Sequence, residues 1–483
     1  MAGIGFKLRS FTQEGTIEGF IKGYYNAALV ASGPWVLTVV TLIAIQYLMR
    51  QTAARTDLFL ETIIYIYAFS LITTAPLQLV ATRYLADQLD AQKLGAHIPS
   101  LVSITAISGV AHFLIGILFF SSVDVSWAYR FAAAALFAMV AQVWIVMAYV
   151  GAVRAFHLVS SAFVSGTIVS ILSAYFLGLR LGEPGYIFGM LLGNAIIVAI
   201  CVVALAREFD TTASFNFEWV RYFKEVPYLP VAGVFYYAAV WASIMIYWFT
   251  VGDPVHPHVL FAYEPLDLAS FYAQMTIIPA ITMFYVHNET NFYEDYRGFY
   301  NAVLAKRSLA AIEERRDNLV KNLKESFVHL GLVQFVITFG AVVFAPQIAH
   351  GLQMSAYEQQ MFVNMSIGAC PQVLLLFAMV ILFYFQFYKE ACLTAMLSFV
   401  CVVLGGLWTL SEAGGPKTYG LGLLIGTTVG FVVGMSLLFR NLQRLEYITF
   451  SSQPMAEELP FREDMLVGEG GFGSYIIRGG KAL

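Results

Sequence analysis

The sequence predicts an all-α polytopic membrane protein in which twelve transmembrane helices form two parallel six-helix repeats around a central cavity, with the N- and C-termini cytoplasmic. Three observations lead to this fold class. Only 12% of the 483 residues are charged and 59% are hydrophobic, whereas a soluble domain carries about 25% charged residues. Apolar runs of bilayer-spanning length recur along the chain, and the same glycine pattern opens the last run of each half.

Twelve apolar runs are long enough to cross ~30 Å of hydrocarbon as helices. The eighth run contains Gln274 and Pro279, and only Lys389 and Glu390 separate the tenth run from the eleventh. The runs cover residues 23–48, 61–82, 100–121, 131–153, 156–179, 184–206, 229–250, 268–287, 327–349, 359–388, 391–410 and 418–440.

These runs divide the chain into lobes, connections and tails. The predicted parts are an N-terminal interfacial segment (1–22), a first six-helix lobe (23–206), a cytoplasmic linker between the lobes (207–228), a second six-helix lobe (229–440) with a cytoplasmic insertion (288–326), and a cytoplasmic C-terminal tail (441–483).

The basic residues predict the orientation of the chain in the membrane. With the N-terminus in the cytoplasm, all but five of the 27 Lys and Arg residues lie on cytoplasmic segments. This bias is what the positive-inside rule requires, and an odd number of crossings would scramble it. The five exceptions are Arg50, Arg55, Arg130, Arg180 and Lys417.

A shared glycine pattern predicts that the two halves are copies of one unit. The pattern Y-x-x-G-x-x-x-G begins at Tyr186 in the sixth run and at Tyr419 in the twelfth. Glycines four residues apart lie on one helix face and allow a neighbouring helix to pack closely. An even number of spans in each unit makes the repeat parallel. The glycines that would pack in this way are Gly189, Gly193, Gly422 and Gly426.

Prolines occur at comparable places in the two halves. Pro34 and Pro76 lie in the first and second runs, and Pro230 and Pro279 lie in the seventh and eighth. A proline removes one helical hydrogen bond, and membrane helices tolerate this where neighbours or a wet cavity satisfy the freed carbonyl. We therefore predict that these four prolines break helices that face the central cavity.

No run carries an Asp, Glu, Lys or Arg away from its ends. A charge at bilayer depth usually marks a path for an ion or a substrate. Its absence argues against a cation-coupled antiporter with a buried carboxylate, against a metal-dependent intramembrane enzyme, and against a charged substrate.

Neutral amides and aromatic rings are what remains inside the spans. Rings pack against the C–H faces of a sugar, while amides bond to its hydroxyls, so this composition suits a neutral sugar. The alternative is that these rings only pack the bundle or form interfacial belts. The predicted cavity residues are Gln78, Gln142, Tyr236, Tyr237, Trp241 and Gln274.

Two connections allow a second interpretation. The insertion at 288–326 has helical spacing, and it is either a helix lying on the membrane surface or a docking surface for a cytoplasmic enzyme. The outer loop at 251–267 holds His256 and His258 beside acidic residues. Because Pro257 separates them and no third ligand is placed, we favour an ordered loop over a metal site.

The sequence offers no catalytic machinery. It contains no nucleotide-binding loop, no paired nucleophile and base, and no motif that reads DNA. We therefore predict no enzyme activity, no catalytic residue, no metal, no cofactor and no nucleic-acid partner.

Several segments resemble the Pel exopolysaccharide transporter family, PelG. The resemblance covers roughly residues 1–455. It rests on Met1-Ala-Gly-Ile-Gly-Phe-Lys-Leu-Arg9, Ser32-Gly33-Pro34-Trp35, Thr82-Arg83-Tyr84-Leu85-Ala86-Asp87 and Glu289-Thr-Asn-Phe-Tyr293.

This resemblance implies a member of the multidrug/oligosaccharidyl-lipid/polysaccharide exporter superfamily in the bacterial inner membrane. It implies export of a largely neutral, N-acetylgalactosamine-rich polymer for the biofilm matrix. It also implies a cytoplasmic glycosyltransferase and other Pel inner-membrane components as partners. The alternatives are a flippase for lipid-linked oligosaccharide, a drug exporter of the same fold, and a non-transporting scaffold for a glycosyltransferase.

Overall fold

The computed structural model describes residues 17–52, 54–91, 93–153, 156–209, 214–256, 259–287, 292–411 and 415–451. Most of the predicted N-terminal interfacial segment, residues 1–16, and the C-terminal residues 452–483 lie outside the described residues.

The chain folds into long helices joined by short connections. The long helices are α1 (Ile17–Gln51), α2 (Thr56–Asp90), α3 (His97–Ser121), α4 (Trp127–Val153), α5 (Phe156–Leu181), α6 (Glu183–Glu208), α7 (Tyr228–Thr250), α8a (Glu264–Met275), α8b (Ile278–His287), α9 (Leu309–Val343), α10 (Ala356–Tyr384), α11 (Tyr388–Thr409) and α12 (Leu421–Leu442). Short helices and turns are Leu94–Ala96, Glu218–Arg221, Tyr222–Glu225, Tyr293–Leu304, Ala345–Gly351, Pro416–Thr418 and Leu445–Ser451, and a hairpin pairs β1 (Asp253–His256) with β2 (Leu260–Ala262).

The long helices form twelve crossings of the membrane. Within the described residues, eleven helices are long and apolar enough to span a membrane. The remaining crossing is α8, the eighth in the chain, which is interrupted after Met275 and resumes at Ile278. The break falls inside the eighth apolar run, where Gln274 and Pro279 interrupt the hydrophobic pattern.

The helix contacts repeat from one half to the other. Helix α5 packs on α6 as α11 packs on α12, α4 packs on α6 as α10 packs on α12, and α1 packs on α5 as α7 packs on α11. Likewise α2 packs on α4 as α8a packs on α10, and α3 packs on α4 as α9 packs on α10. The two lobes meet along two seams, α2 against α7 and α1 against α8b. The two seams are equivalent, because α1 corresponds to α7 and α2 corresponds to α8 in the repeat. This is the arrangement expected of two lobes related by a pseudo-two-fold axis.

We call the face at which α1 begins and α12 ends the proximal face, and the opposite face the distal face. The proximal face is the one predicted to be cytoplasmic. Large apolar side chains cover the outside of the bundle, with Leu118 74% exposed and Val336 66% exposed. Such a surface suits contact with lipid rather than water.

The insertion differs from the predicted surface helix. Helix α9 begins at Leu309 and continues without interruption to Val343, so that its first turns extend the ninth crossing beyond the proximal face. Its 35 residues span about 52 Å. Ile312, Leu319 and Leu323 are buried in the second lobe rather than laid on a membrane surface.

Most buried apolar residues in the described part of the chain belong to three large clusters, and a small fourth cluster joins Ala239 and Ala242 to Val402. The distal cluster contains residues from both lobes, including Ile45 and Tyr65 of the first and Trp248 and Tyr419 of the second. The other two large clusters lie toward the proximal face, one within the first lobe and its linker and one within the second lobe. The lobes therefore share an apolar core at the distal face, while each has its own at the proximal face.

Candidate functional site

The seam between α2 and α7 brings the two lobes into close contact. A Cβ placed on Gly233 would lie 2.6 Å from Leu79 and 3.4 Å from the Cβ of Ala75. Gly233 lies one turn after Pro230, and its lack of a side chain lets the backbones of α2 and α7 approach each other. The predicted cavity residues on these helices therefore lie beside the contact between the lobes.

The three predicted aromatic residues follow α7 from one apolar cluster to another. Tyr236 packs against the proximal cluster of the second lobe, and its ring meets that of Tyr237 edge-on at 5.4 Å. One turn further, Trp241 packs against the distal cluster, with its ring 6.4 Å from that of Trp248. All three side chains, which the sequence predicts to line the cavity, are half-buried.

The predicted amides Gln78 and Gln142 have different surroundings. Gln78 lies on the seam helix α2, is half-buried, and its Oε1 is enclosed without a hydrogen-bond partner among the described residues. Gln142 lies between α4 and α3 of the first lobe. With its amide oriented to satisfy both ends, it donates to the Thr105 carbonyl at 3.3 Å and accepts from the Gly109 amide at 3.0 Å. This placement favours a packing role for Gln142.

Gln274 is paired with a second amide inside the second lobe. Its Nε2 donates to Oε1 of Gln372 at 2.9 Å, and Nε2 of Gln372 lies 3.3 Å from Oε1 of Gln274. The pair joins α8a, just before its break, to α10. A sugar at Gln274 would have to replace one of these bonds.

The prolines require a correction. Helices α1 and α2 continue through Pro34 and Pro76 without interruption. Pro230 lies in the first turn of α7, where a missing amide hydrogen breaks no intrahelical bond. Only Pro279 adjoins a break, that between α8a and α8b. Pro371, which the sequence pattern did not single out, lies inside α10 next to Gln372.

The two glycine stripes, Gly189 with Gly193 on α6 and Gly422 with Gly426 on α12, lie at equivalent helix contacts. A Cβ on Gly189 would come within 2.4 Å of the Ala174 backbone, and one on Gly193 would come within 2.5 Å of the Gly166 carbonyl, both on α5. In the second lobe, Gly422 and Gly426 face the backbone of α11 at comparable distances, 2.6 and 2.5 Å. The stripes thus hold α6 on α5 and α12 on α11.

At the distal face, α2 is fastened to the second lobe by aromatic and polar contacts. The ring of Tyr65 stacks on that of Trp248 at 5.0 Å. The Tyr65 hydroxyl donates to the Phe261 carbonyl at 3.0 Å and accepts from the Phe261 amide at 3.1 Å. Trp248 in turn donates to Asp267 at 2.7 Å. The sequence could not reveal this closure, because its members come from three separate segments.

Glu61 is a buried carboxylate at the end of a span. It stands at the first position of the second apolar run, where a charge is ordinarily solvated. Helix α2 begins five residues earlier, at Thr56, and Glu61 is only 7% exposed.

At the proximal face the contact between the lobes is polar. Arg83 on α2 forms an ion pair with Asp87 at 2.9 Å, and its guanidinium also interacts with the hydroxyl of Tyr388 at the start of α11. Asp87 accepts from the hydroxyl of Tyr222 in the linker at 2.8 Å. Burial, followed by the charge of Asp87, raises the pKa of Tyr222, so that this tyrosine remains a neutral donor.

The spans carry few groups suited to chemistry. His112 is 3% exposed and bonds through Nε2 to Thr73 at 2.9 Å and through Nδ1 to the Ser108 carbonyl at 2.8 Å, which ties α3 to α2. In the part of the chain that the structure describes, no three His, Cys, Asp or Glu side chains are grouped as metal ligands would be. The side chains of His256 and His258 fall outside that part.

Solved structures share this fold. A multidrug resistance MATE family transporter of the MOP superfamily, in an outward-facing conformation, is 12% identical, with a TM-score of 0.60 over 87% of this chain and 96% of that one. A MOP superfamily transporter from Pyrococcus furiosus is 13% identical, with a TM-score of 0.60 over 88% and 96%. The Vibrio cholerae MATE transporter VcmN, in its bent form, is 12% identical, with a TM-score of 0.61 over 88% and 98%.

The protein therefore has the transporter fold of the MOP superfamily, with twelve helices in two repeats. Its sequence matches a family described as "PelG: Putative exopolysaccharide Exporter (EPS-E)" over residues 1–450. The chain belongs to this family, and it is a multi-pass membrane protein of the exopolysaccharide-exporter type. A comparison with curated protein sequences found no match.

Proposed function

We propose that this protein exports a largely neutral, N-acetylgalactosamine-rich exopolysaccharide of the Pel type across the bacterial inner membrane for the biofilm matrix. The supporting observation is the row of half-buried rings on α7 beside the seam with α2, where the amide oxygen of Gln78 has no partner among the described residues. Rings and neutral amides along a passage free of mid-span charge suit uncharged sugar units.

In this proposal, Tyr237 and Trp241 stack on successive sugar faces, and Gln78 bonds to a hydroxyl or an acetamido group. Tyr236 supports Tyr237 from the side of the second lobe. A polymer that moves past neutral groups gives up little binding free energy on leaving each group, because no ion pair has to be broken. Opening and closing at the two faces would then admit the chain on the proximal side and release it on the distal side.

The test removes the two rings that lie one helical turn apart. We expect Tyr237→Ala with Trp241→Ala to lower polymer secretion at least about tenfold, which corresponds to the loss of one to two stacking contacts of about 1 kcal/mol each. The amount of protein inserted in the membrane should stay the same. Secretion is measured by lectin binding to the released polymer, and insertion by immunoblot of washed membranes.

The matched control removes two rings with the same spacing on the lipid-facing side. Phe335 and Phe339 on α9 are each 60% exposed and stack on each other at 6.3 Å. Phe335→Ala with Phe339→Ala should leave secretion unchanged. If the α7 variant also secretes normally, the assignment of these rings to the passage is wrong.

We propose that a cytoplasmic glycosyltransferase docks on the first turns of α9, beyond the proximal face, and on the turn that precedes them. Arg307, Arg315 and Lys321 are exposed there, while the buried face of α9 packs into the second lobe. Substituting these three residues with Glu should weaken co-purification of the enzyme without loss of inserted transporter. Asp317→Lys, also exposed, controls for a general effect of altered charge. Undiminished co-purification would remove this surface from the proposal.

A further inference from the structure

Glu61 is a buried acid at the distal end of the seam. Its Oε2 is enclosed and has no hydrogen-bond partner among the described residues. The charges that act on it are those of Asp267 and Glu264 in the second lobe and of Asp57 on its own helix, all of them negative. A carboxylate buried in this way is costly unless it is paired, and taking up a proton removes the cost.

Asp267 has a different environment although it belongs to the same group. Its Oδ1 accepts from the Trp248 indole at 2.7 Å and its Oδ2 accepts from the Tyr263 amide at 3.2 Å. Hydrogen bonds to a carboxylate favour its charged form. Burial disfavours the charged form of both acids, Asp267 included. Among the described residues Oε2 of Glu61 has no donor, whereas both oxygens of Asp267 accept hydrogen bonds, so Glu61 binds a proton more tightly than Asp267 does.

The acid pair is enclosed by the contacts that close the distal face. Glu61 lies one helical turn before Tyr65, whose ring stacks on Trp248 and whose hydroxyl is bonded to the backbone of Phe261. Trp248 connects this stack to Asp267. Because Glu61 belongs to the first lobe and Asp267 to the second, separating the lobes here would bring water to both carboxyl groups.

We propose that Glu61 is a proton-binding site that sets the closure of the distal face: it binds one proton when the lobes close there and releases it to water when they open. The inference does not depend on what the protein exports. It makes the distal closure responsive to the pH, and to a proton gradient, at that face.

The direction of the effect follows from linkage. The closed state binds the proton more tightly, so acid favours closure and alkali favours opening. For a single proton, the ratio of open to closed protein rises by at most about tenfold per pH unit.

Other titratable groups at this end of the seam have to be separated from Glu61. Arg55 forms an ion pair with Glu183, with Nε donating to Oε1 at 2.9 Å and Nη2 donating to Oε2 at 3.0 Å. This contact raises the pKa of Arg55 and keeps it charged throughout. Burial raises the pKa of Tyr263 and keeps its hydroxyl neutral. The remaining described groups are Asp57, Tyr65, Glu264 and Asp267. The side chains of His256 and His258 lie outside the described residues, so these two histidines are tested by substitution.

The experiment measures the distance between the lobes at the distal face. Spin labels are placed at Ser122→Cys and Ser411→Cys, two exposed positions that follow α3 in the first lobe and α11 in the second. The four free cysteines, Cys201, Cys370, Cys392 and Cys401, are replaced by Ala. Full-length protein in lipid nanodiscs is measured by double electron–electron resonance at ~pH 5 and ~pH 8, which bracket the titration of a buried carboxyl group.

We expect the long-distance population to rise between ~pH 5 and ~pH 8 in the parent protein, by up to about tenfold per pH unit. Glu61→Gln, a neutral isostere, should keep the short distance at both pH values. Glu264→Gln, an exposed acid on α8a, and His256→Gln with His258→Gln should retain the response. An unchanged distribution in the parent, or a full response in Glu61→Gln, would overturn the proposal.

A second comparison identifies the ligand as a proton. At ~pH 8, replacing choline by Na⁺ at constant ionic strength should leave the distance distribution unchanged, because a site with one free carboxyl oxygen offers too few ligands for a metal cation. If Na⁺ shortens the distance as acid does, the site binds a cation and the proton assignment is wrong.

Discussion

At the scale of single residues, the paired amides Gln274 and Gln372 show how a polar side chain can be satisfied at bilayer depth. Each donates toward the other, so neither needs water. A buried amide that loses its partner carries the desolvation cost alone, whereas removing both amides leaves an apolar contact.

This asymmetry gives a prediction for stability. Gln274→Leu and Gln372→Leu should each destabilise the protein by about 1–3 kcal/mol, and the double variant should recover most of that loss. Thermal unfolding in detergent, followed by the fluorescence of a cysteine-reactive dye, measures both effects. If the double variant is as unstable as the sum of the two single variants, the reciprocal pair does not contribute as described.

The same variants address the predicted contact of Gln274 with sugar. If Gln274 bonds to the polymer, the stable double variant should secrete several-fold less, because the bond to substrate is lost although the fold is intact. Normal secretion by the double variant would restrict Gln274 to a packing role.

At the scale of helices, the two glycine stripes set the closest contacts within each lobe. A Cβ on Gly426 would lie 2.5 Å from the Val402 amide nitrogen and 2.7 Å from the Ser398 carbonyl. These atoms belong to the backbone of α11 and cannot move aside without displacing the helix.

We therefore expect Gly426→Ala to destabilise the protein by about 1–3 kcal/mol through overpacking. Gly340→Ala is the matched control, since it also lies in a long helix, α9, but a Cβ there meets nothing within 4 Å. Alanine is about 1 kcal/mol better than glycine inside a helix, so this control should be neutral or stabilising. Equal melting temperatures for the two variants would contradict close packing at the stripe.

At the scale of the whole molecule, the two faces are held in different ways. The distal face is closed by an apolar cluster that both lobes share, and the proximal face is joined through Arg83 and the hydroxyl of Tyr388. The polar groups of the proximal contact can replace their bonds to each other with bonds to water at little cost in free energy. Opening the distal face would instead expose apolar side chains to water. This asymmetry makes the proximal contact between the lobes the easier one to open.

A crosslink across the seam tests whether export requires the lobes to move relative to each other. The Cβ positions of residues 75 and 233 are 3.4 Å apart, close to the spacing in a disulfide. We expect Ala75→Cys with Gly233→Cys to form a disulfide on oxidation, shown by a shift in gel mobility after proteolysis between the lobes. Secretion should then fall to background and return with a reductant.

Each single cysteine variant controls for the substitution itself, since Leu79 has to give way to a side chain at position 233. Full secretion by the completely crosslinked protein would show that α2 and α7 keep a fixed contact at this point during export.

The sequence by itself determined the number of crossings and the duplication, because these depend on the lengths of apolar runs and on residue spacing within one helix. The charges in the connections also predict the orientation of the chain, which stays a prediction. It also indicated the interruption of the eighth crossing, through Gln274 and Pro279. The helix continuity at Pro34 and Pro76 was not predictable, since packing from neighbouring helices can hold a proline-containing helix together.

Only the tertiary structure decided which polar groups meet. Gln142 and Gln274 looked alike in the sequence, yet one is bonded to the backbone of α3 and the other to an amide on α10. The charges of Asp267 and Glu264 that act on Glu61 come from α8a, about 200 residues away in the chain, and the hairpin that contacts α2 is equally remote. Such contacts depend on the rotation and the register of remote helices, and no local pattern of residues encodes them.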